Sequence, residues 1–219
     1  MTGRSARRRE PRQERSRAMV ERIVAAGREV LVTRGYDGAS TNRIAAAAGV
    51  SPGSLYQYFP DKDAVLTEVL DRYLDAMEAR VSRAFLDSVA VAGPGAGTTT
   101  TAVRATLEAL LDTFSEEPDL LRVIVEQLPR SPGGRRAAFA GRIDDLVTTV
   151  LLTHGAGSTD AARAAAWTVV RTVEHLTTGY VLERPGFARA VVVDELTALV
   201  AGYLDARLSG GRVASDGPS

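Results

Sequence analysis

Residues 35–62 read GYDGASTNRIAAAAGVSPGSLYQYFPDK. Ser40 is a good N-cap for a short helix running through Ile44 and Ala48 to Gly49. A second short helix is expected from about Pro52 to Phe59, with proline in its first turn, where a missing N–H is harmless. The sharp angle between the two needs a residue free to take positive φ, and Gly49 supplies it. Val50 then tucks in beside Ile44, Ala45 and Leu55 as a small shared core. This is a helix-turn-helix of the kind that enters a DNA major groove.

The outward side of the second helix is polar and small, which lets it approach base edges. Ser51, Pro52, Gly53 and Ser54 open it, where free N–H groups favour a nearby phosphate. Gln57, three residues after Ser54, carries an amide able to pair bidentately with adenine. Hydroxyls of Ser40, Thr41 and Tyr56, the amide of Asn42 and the cations Arg43 and Lys62 are candidate phosphate anchors, which fix register without reading sequence.

Working outward, Met19, Val20, Ile23, Val24, Gly27, Val30 and Leu31 keep the 3–4 spacing of one buried helical face from near Arg17, with Gly35 ending that helix. Asp61 caps a long fourth helix whose face is Val65, Leu66, Val69, Leu70, Tyr73, Leu74, Met77, Val81 and Phe85. After a Gly/Ala/Thr-rich connection, further helices are expected at roughly 101–116, 118–128, 135–154, 160–183 and 187–208. Alternating strand patterns are absent, so the fold class is all-α with about nine helices. The expected division is a disordered Arg-rich arm at 1–16, a helix-turn-helix DNA-binding domain at 17–62, a larger regulatory and dimerisation domain at 63–208 and a disordered tail at 209–219.

Composition sets limits. The 219 residues carry no cysteine, which excludes disulfides, thiolate metal sites and a Cys nucleophile. No apolar run approaches the roughly 20 residues that span a bilayer, and the first residues lack the apolar core of a signal peptide, so a cytoplasmic protein is expected. The net charge of zero hides an asymmetry: residues 1–62 hold 12 Lys+Arg against 6 Asp+Glu, and the remainder holds 15 against 21. A basic end joined to an acidic body points one end at a polyanion.

The motif resembles the DNA-binding domain of the TetR family of bacterial repressors. The matching residues are Arg34-Gly35-Tyr36, Ser40 to Ala45, Ala48-Gly49-Val50-Ser51, Gly53 to Phe59 and Lys62. Ala39 stands where many members have threonine, and Tyr58 replaces the commoner histidine. The resemblance implies that Thr41, Asn42, Ser51, Pro52, Gly53, Ser54, Gln57, Tyr58 and Lys62 face DNA, with Tyr56 on a phosphate. It also implies a homodimer paired through its last two helices, a palindromic double-stranded DNA operator, and release by an unidentified small-molecule effector in the C-terminal domain.

Candidate effector-pocket residues are Phe85, Phe114, Phe139, Trp167, Arg171 and His175, although aromatic residues on such helices are more often plain core. His154 stands at an expected helix end, where a cation suits the dipole. Two isolated histidines without useful carboxylate spacing give no metal site, and no cofactor is expected. There is no phosphate loop, nucleophile elbow or convergent acid–base set, so no enzymatic activity is expected. The apolar faces of the helices at about 160–208 suggest a four-helix interface between two copies. The alternative from another class is a constitutive DNA-binding or architectural protein whose C-terminal domain only dimerises.

Overall fold

The apolar period after Met19 becomes the packed part of α1 (Ala6–Gly38), and Ser40 and Ser51 open α2 (Thr41–Ala47) and α3 (Pro52–Tyr56). The long fourth period is α4 (Lys62–Ala92). Then come α5 (Thr98–Glu116), α6 (Pro118–Glu126), α7 (Arg135–Thr153), α8 (Thr159–Glu183) and α9 (Arg189–Val213). The structure, a computed structural model, describes residues 6–92, 98–128, 135–153 and 158–213. Among the described residues the fold is all-α, with nine helices and no strand. None of these helices is long and apolar enough to cross a membrane. His154 lies outside the described residues.

The first and last helices run past the bounds expected for them. α1 begins at Ala6, well before Arg17, and α9 continues to Val213. At the front, Ala, Arg, Glu and Gln are strong helix formers that work against the helix-breaking Pro11, and Glu14/Arg17 are spaced for helical pairing. At the back, Ser209, Gly210 and Gly211 are weak formers. In both cases the packed part of the helix has already met the cost of nucleation, so only propagation remains. Near its other end α1 kinks at Gly35, which has φ 70 and ψ 177, and helical backbone resumes over 36–38.

The described chain divides into two compact units. The first is Met1–Tyr73 with Asp119–Pro129, and the second is Leu74–Pro118 with Arg130–Ser219. The first unit therefore contains the motif, the start of α4 and also α6. Its core gathers Ile23, Val24 and Leu31 of α1, Ile44 and Leu55 of the motif, Val65 and Val69 of α4, and Leu120, Val123 and Ile124 of α6. Gly27 lets α1 and α4 meet closely, since a Cβ there would lie 2.6 Å from Val65 Cγ1. The expected boundary at residue 62 follows chain order and leaves α6 with the other domain; in space, α6 supplies core to the motif.

In the second unit α7 packs on α8, and α5 packs on both α8 and α9. The α7–α8 seam is built on Ala162, Ala165 and Ala166 with Leu151, small residues that allow close helix approach. Around its surface run arginine–carboxylate pairs: Arg80–Glu116 joins α4 to α5, Arg142–Glu78 joins α7 to α4, and Arg104–Asp194 and Arg189–Asp112 join α5 to α9. All four are solvent-accessible, so water and salt screen them and they add little to stability. Trp167 and Leu176 of α8 and Val191 and Leu199 of α9 remain exposed on this unit.

Candidate nucleic-acid interface

The motif is built by caps. Ser40 has extended backbone at the head of α2, and its Oγ accepts the Arg43 N–H at 3.3 Å. The Arg43 guanidinium donates to the Gly38 carbonyl. Ser51 does the same for α3: its Oγ accepts the Ser54 N–H at 3.1 Å, and the two hydroxyls lie 2.9 Å apart. The turn between the helices passes through Gly49 at φ 64, the left-handed conformation expected of it.

The recognition element is shorter than its sequence pattern suggests. α3 ends at Tyr56, with Gln57 as its C-cap, because Tyr58 and Phe59 turn back through N–H bonds to the Leu55 carbonyl at 2.9 and 3.0 Å. Leu55 is fully buried and Phe59 is buried beside it, which fixes the inward side. Ser51, Pro52, Gly53, Tyr56 and Gln57 are exposed, as are Asn42 and Arg43 on α2. Tyr56 is 53% exposed and its hydroxyl lies 3.1 Å from Thr41 Oγ1, so α2 and α3 present one hydroxyl pair together. Thr41, Ser40 and Ser54 are half-buried. The structure thus brings Thr41 to Tyr56 and Ser51 to Ser54, and leaves Asn42, Arg43, Pro52, Gly53 and Gln57 exposed.

Tyr58 and Lys62, also expected to face DNA, make contacts within the first unit. Tyr58 is half-buried and packs against the core. The Lys62 ammonium, expected on a phosphate, donates to the Tyr36 carbonyl at 3.0 Å and lies 4.3 Å from the centre of the Tyr36 ring. Tyr36 is held at its other groups too. Its hydroxyl donates to Asp63 Oδ1 at 2.9 Å, and its N–H donates to Gln127 Oε1 at 3.0 Å. The hydrogen bond to Asp63 raises the Tyr36 pKa above 10.0, helped by desolvation and then by the negative charge of Asp63, Asp37 and Asp61. Asp61 caps α4 as expected, accepting the Ala64 N–H at 2.8 Å.

Sequence reading missed two positioning residues. Arg22 reaches from α1 to the end of α2, donating to the Ala48 carbonyl at 2.7 Å and the Gly49 carbonyl at 3.4 Å. Those are carbonyls that a helix end leaves without intrahelical partners. Gln127, just past α6, clamps the α1 kink from a position 91 residues away in the chain. Nothing in local pattern marks either one.

The six candidate effector residues differ in burial and in partners. Phe114 is core, Trp167 is 60% exposed and His175 is exposed. Phe85 is half-buried, and the half-buried Phe139 ring lies under the Arg142 guanidinium. Arg171 is occupied by Asp144 at 3.3 Å and Glu174 at 2.6 Å. The reason is angular: the buried face of α8 includes Ala162, Ala165 and Ala166, and Trp167 is turned about 100° from Ala166. An open cleft of about 380 Å³ in this unit is lined by other residues, among them Ser115, Tyr180, Arg184 and Phe187.

Comparison with known proteins places this architecture. The family model described as bacterial regulatory proteins, tetR family, matches residues 23–69, and that described as tetracyclin repressor-like, C-terminal domain, matches residues 98–204. The chain belongs to the tetR family. The first of these models describes regulatory proteins, and both relatives named below are HTH-type transcription regulators. It is 34% identical over 119 residues to the HTH-type transcriptional activator FasR of Mycolicibacterium smegmatis, covering 53% of this chain and 48% of that protein. It is 32% identical over 68 residues to the HTH-type transcriptional repressor DhaR of Mycobacterium sp. strain GP1, covering 31% of this chain and 34% of that protein. The matches thus span about half and a third of those relatives' lengths. A crystal structure of a transcriptional regulator from Pseudomonas aeruginosa PAO1 shares the fold at TM-score 0.67 and 23% identity, over 88% of this chain and 93% of that one.

Proposed function

We propose that the protein is a homodimeric repressor that holds a palindromic operator through α3 and is released by a small-molecule effector bound in the second unit. The observation that carries the reading is the exposed row Ser51, Pro52, Gly53, Tyr56 and Gln57 on a short helix whose other side is pinned by the fully buried Leu55. A base-reading element needs rigid backing and an unobstructed polar front, and this helix has both. Dimerisation through α8 and α9, about residues 160–208, is supported by the exposed apolar residues Trp167, Leu176, Val191 and Leu199 on those two helices. Pairing about a two-fold axis would set two α3 helices about 34–36 Å apart, one turn of DNA.

Selection of duplex DNA from a random pool by the purified protein tests the reading. The expected product is an inverted repeat, with Gln57→Ala relaxing preference at particular bases and Tyr56→Phe weakening all sequences alike. An unchanged preference in Gln57→Ala would remove Gln57 from base reading. A monomer indifferent to duplex sequence at low salt would remove the whole proposal.

The second reading is a regulator that answers to no ligand. It is favoured by the exposure of Trp167 and His175 and by the carboxylates of Asp144 and Glu174 already paired with Arg171. A metabolite panel that leaves operator binding untouched would select it. An activating role is the other direction open to the same surface, because one relative is named an activator and the other a repressor; transcription measured with and without the protein distinguishes the two.

A further inference from the structure

We infer that the open cleft of the second unit is a binding site for a small monocarboxylic acid with an apolar body, its carboxylate held by Arg184. This deepens the effector reading proposed above, and only its consequence for DNA rests on that reading. The cleft exists because the chain leaves α8 by a bent route. The helix ends at Glu183, and Arg184 closes it at φ 50 and ψ 61, its N–H donating to the Tyr180 carbonyl at 3.2 Å. Gly186, on the far side of Pro185, takes a second positive φ of 81. The chain folds back on the last turn of α8, and the Tyr180 hydroxyl pins it there by donating to the Phe187 carbonyl at 3.1 Å. Ser115 near the end of α5 and Pro118 at the head of α6 complete the lining.

Arg184 is an unusual choice for its position. The left-handed region disfavours any residue with a Cβ, and glycine is the common occupant of such a helix end. Glycine would make this turn without strain; arginine adds a guanidinium to it. Arg184 lines the cleft, and its side chain has no hydrogen bond, ion pair or ring contact among the described residues. Arg189, two residues after Phe187, is already held by Asp112 and by the Glu108 carbonyl at 3.0 Å. The carboxylates that neighbour the lining in the chain are turned elsewhere: Glu116 pairs with Arg80, and Glu183 lies back along α8 beside Gly179. The cleft thus offers a cation with no anion to match it.

The rest of the lining names the ligand. One guanidinium suits one carboxylate, which it can hold by two parallel charge-assisted hydrogen bonds. Val181 is buried, Pro118 is half-buried, and Phe187 is left 63% exposed, an aromatic surface that an apolar body would cover. Tyr180 has given its proton to Phe187, so its oxygen, like the Ser115 hydroxyl, can still accept a bond from a ligand or a water. The cleft measures about 380 Å³, near the small end of the range of about 300–1,000 Å³ usual for ligand pockets. The apolar body is therefore one ring or a short chain.

The test titrates the full-length protein with benzoate and hexanoate by calorimetry, with benzyl alcohol as the uncharged control and inorganic phosphate as the control without an apolar body. The variants are Arg184→Gly, which suits the backbone and removes the charge, Arg184→Lys, which keeps the charge, and Phe187→Ala. Both acids should bind and raise the melting temperature of the wild type. Benzyl alcohol and phosphate should bind more weakly by about tenfold or more, and Arg184→Gly should lose as much affinity for the acids, the worth of a hydrogen bond to a charged group. Arg184→Lys should recover part of that loss, and Phe187→Ala should weaken both acids. Arg184→Gly should melt no lower than wild type, so that its loss is not unfolding. Equal acid affinity in wild type and Arg184→Gly overturns the inference, as does benzyl alcohol or phosphate matching benzoate, or binding by none of the probes. Adding the selected duplex separates this site from the effector reading. Acid that binds and leaves the duplex in place keeps the site and sinks its effector role. Acid that releases the duplex equally from wild type and Arg184→Gly keeps an effector and sinks this site.

Discussion

Gly35→Ala should destabilise the first unit by about 3 kcal/mol, and a third of that loss should disappear when Gln127 is also truncated. The backbone at Gly35 sits at φ 70 and ψ 177, a region open to essentially no other residue, which costs about 1–3 kcal/mol for alanine. The added Cβ would also stand 2.5 Å from Gln127 Oε1, too close to coexist. Gln127 is the end of a flexible side chain, so it would swing away and forfeit its bond to the Tyr36 N–H, worth about 1 kcal/mol. In a Gln127→Ala background only the backbone cost remains, about 2 kcal/mol, giving a coupling of about 1 kcal/mol. Urea unfolding followed by far-UV circular dichroism measures all four proteins. The single tryptophan, Trp167, belongs to the other unit, and its fluorescence tells whether that unit follows. If Gly35→Ala costs the same with and without Gln127, the clamp contributes nothing. If it costs under about 0.5 kcal/mol in both, the backbone argument is wrong.

Gly27→Ala should lower stability by about 1–3 kcal/mol despite alanine's better helix propensity, because Val65, fully buried, has nowhere to go; adding Val65→Ala should restore part of the loss in thermal melts. Tyr36→Phe should cost about 0.5–1 kcal/mol near neutrality. The Tyr36 pKa is raised in the folded state, so this contribution is fully present below pH 10 and is lost as pH climbs through the folded value. Urea midpoints of wild type and Tyr36→Phe should therefore differ at pH 8 and converge as pH rises above 10; a gap that widens with pH would contradict the Asp63 bond. Arg22→Met should cost about 1 kcal/mol by uncovering the Ala48 carbonyl, and should weaken binding to every duplex alike in fluorescence anisotropy; a changed base preference would show that Arg22 does more than hold the turn.

The motif was legible in sequence because its constraints are local. Ser40, Ser51 and Asp61 cap the helices that begin beside them, and Gly49 takes the positive φ its turn demands. The buried period of α1 and of early α4 likewise follows from spacing within one helix. What stayed hidden was set by partners distant in the chain. Gln127 reads as an ordinary polar residue until α6 is seen against the α1 kink. Lys62 matches a family lysine, but only the packing of Tyr36 shows where its ammonium rests. The exposure of Trp167 was hidden for a related reason: a helical period ranks residues around one axis, and it cannot say which side of α8 meets α7 and which side meets solvent.

The seat of α6 bears on how this molecule could be cut or recombined. Leu120, Val123 and Ile124 complete the hydrophobic interior around Ile23, Ile44 and Leu55. A fragment stopping at Tyr73 would carry every base-facing residue and still open a greasy trench where α6 belongs. Grafting this reader onto another regulator would then need two splices, one after α4's first turns and one bringing along 119–128, or the transplanted piece would arrive without its keel.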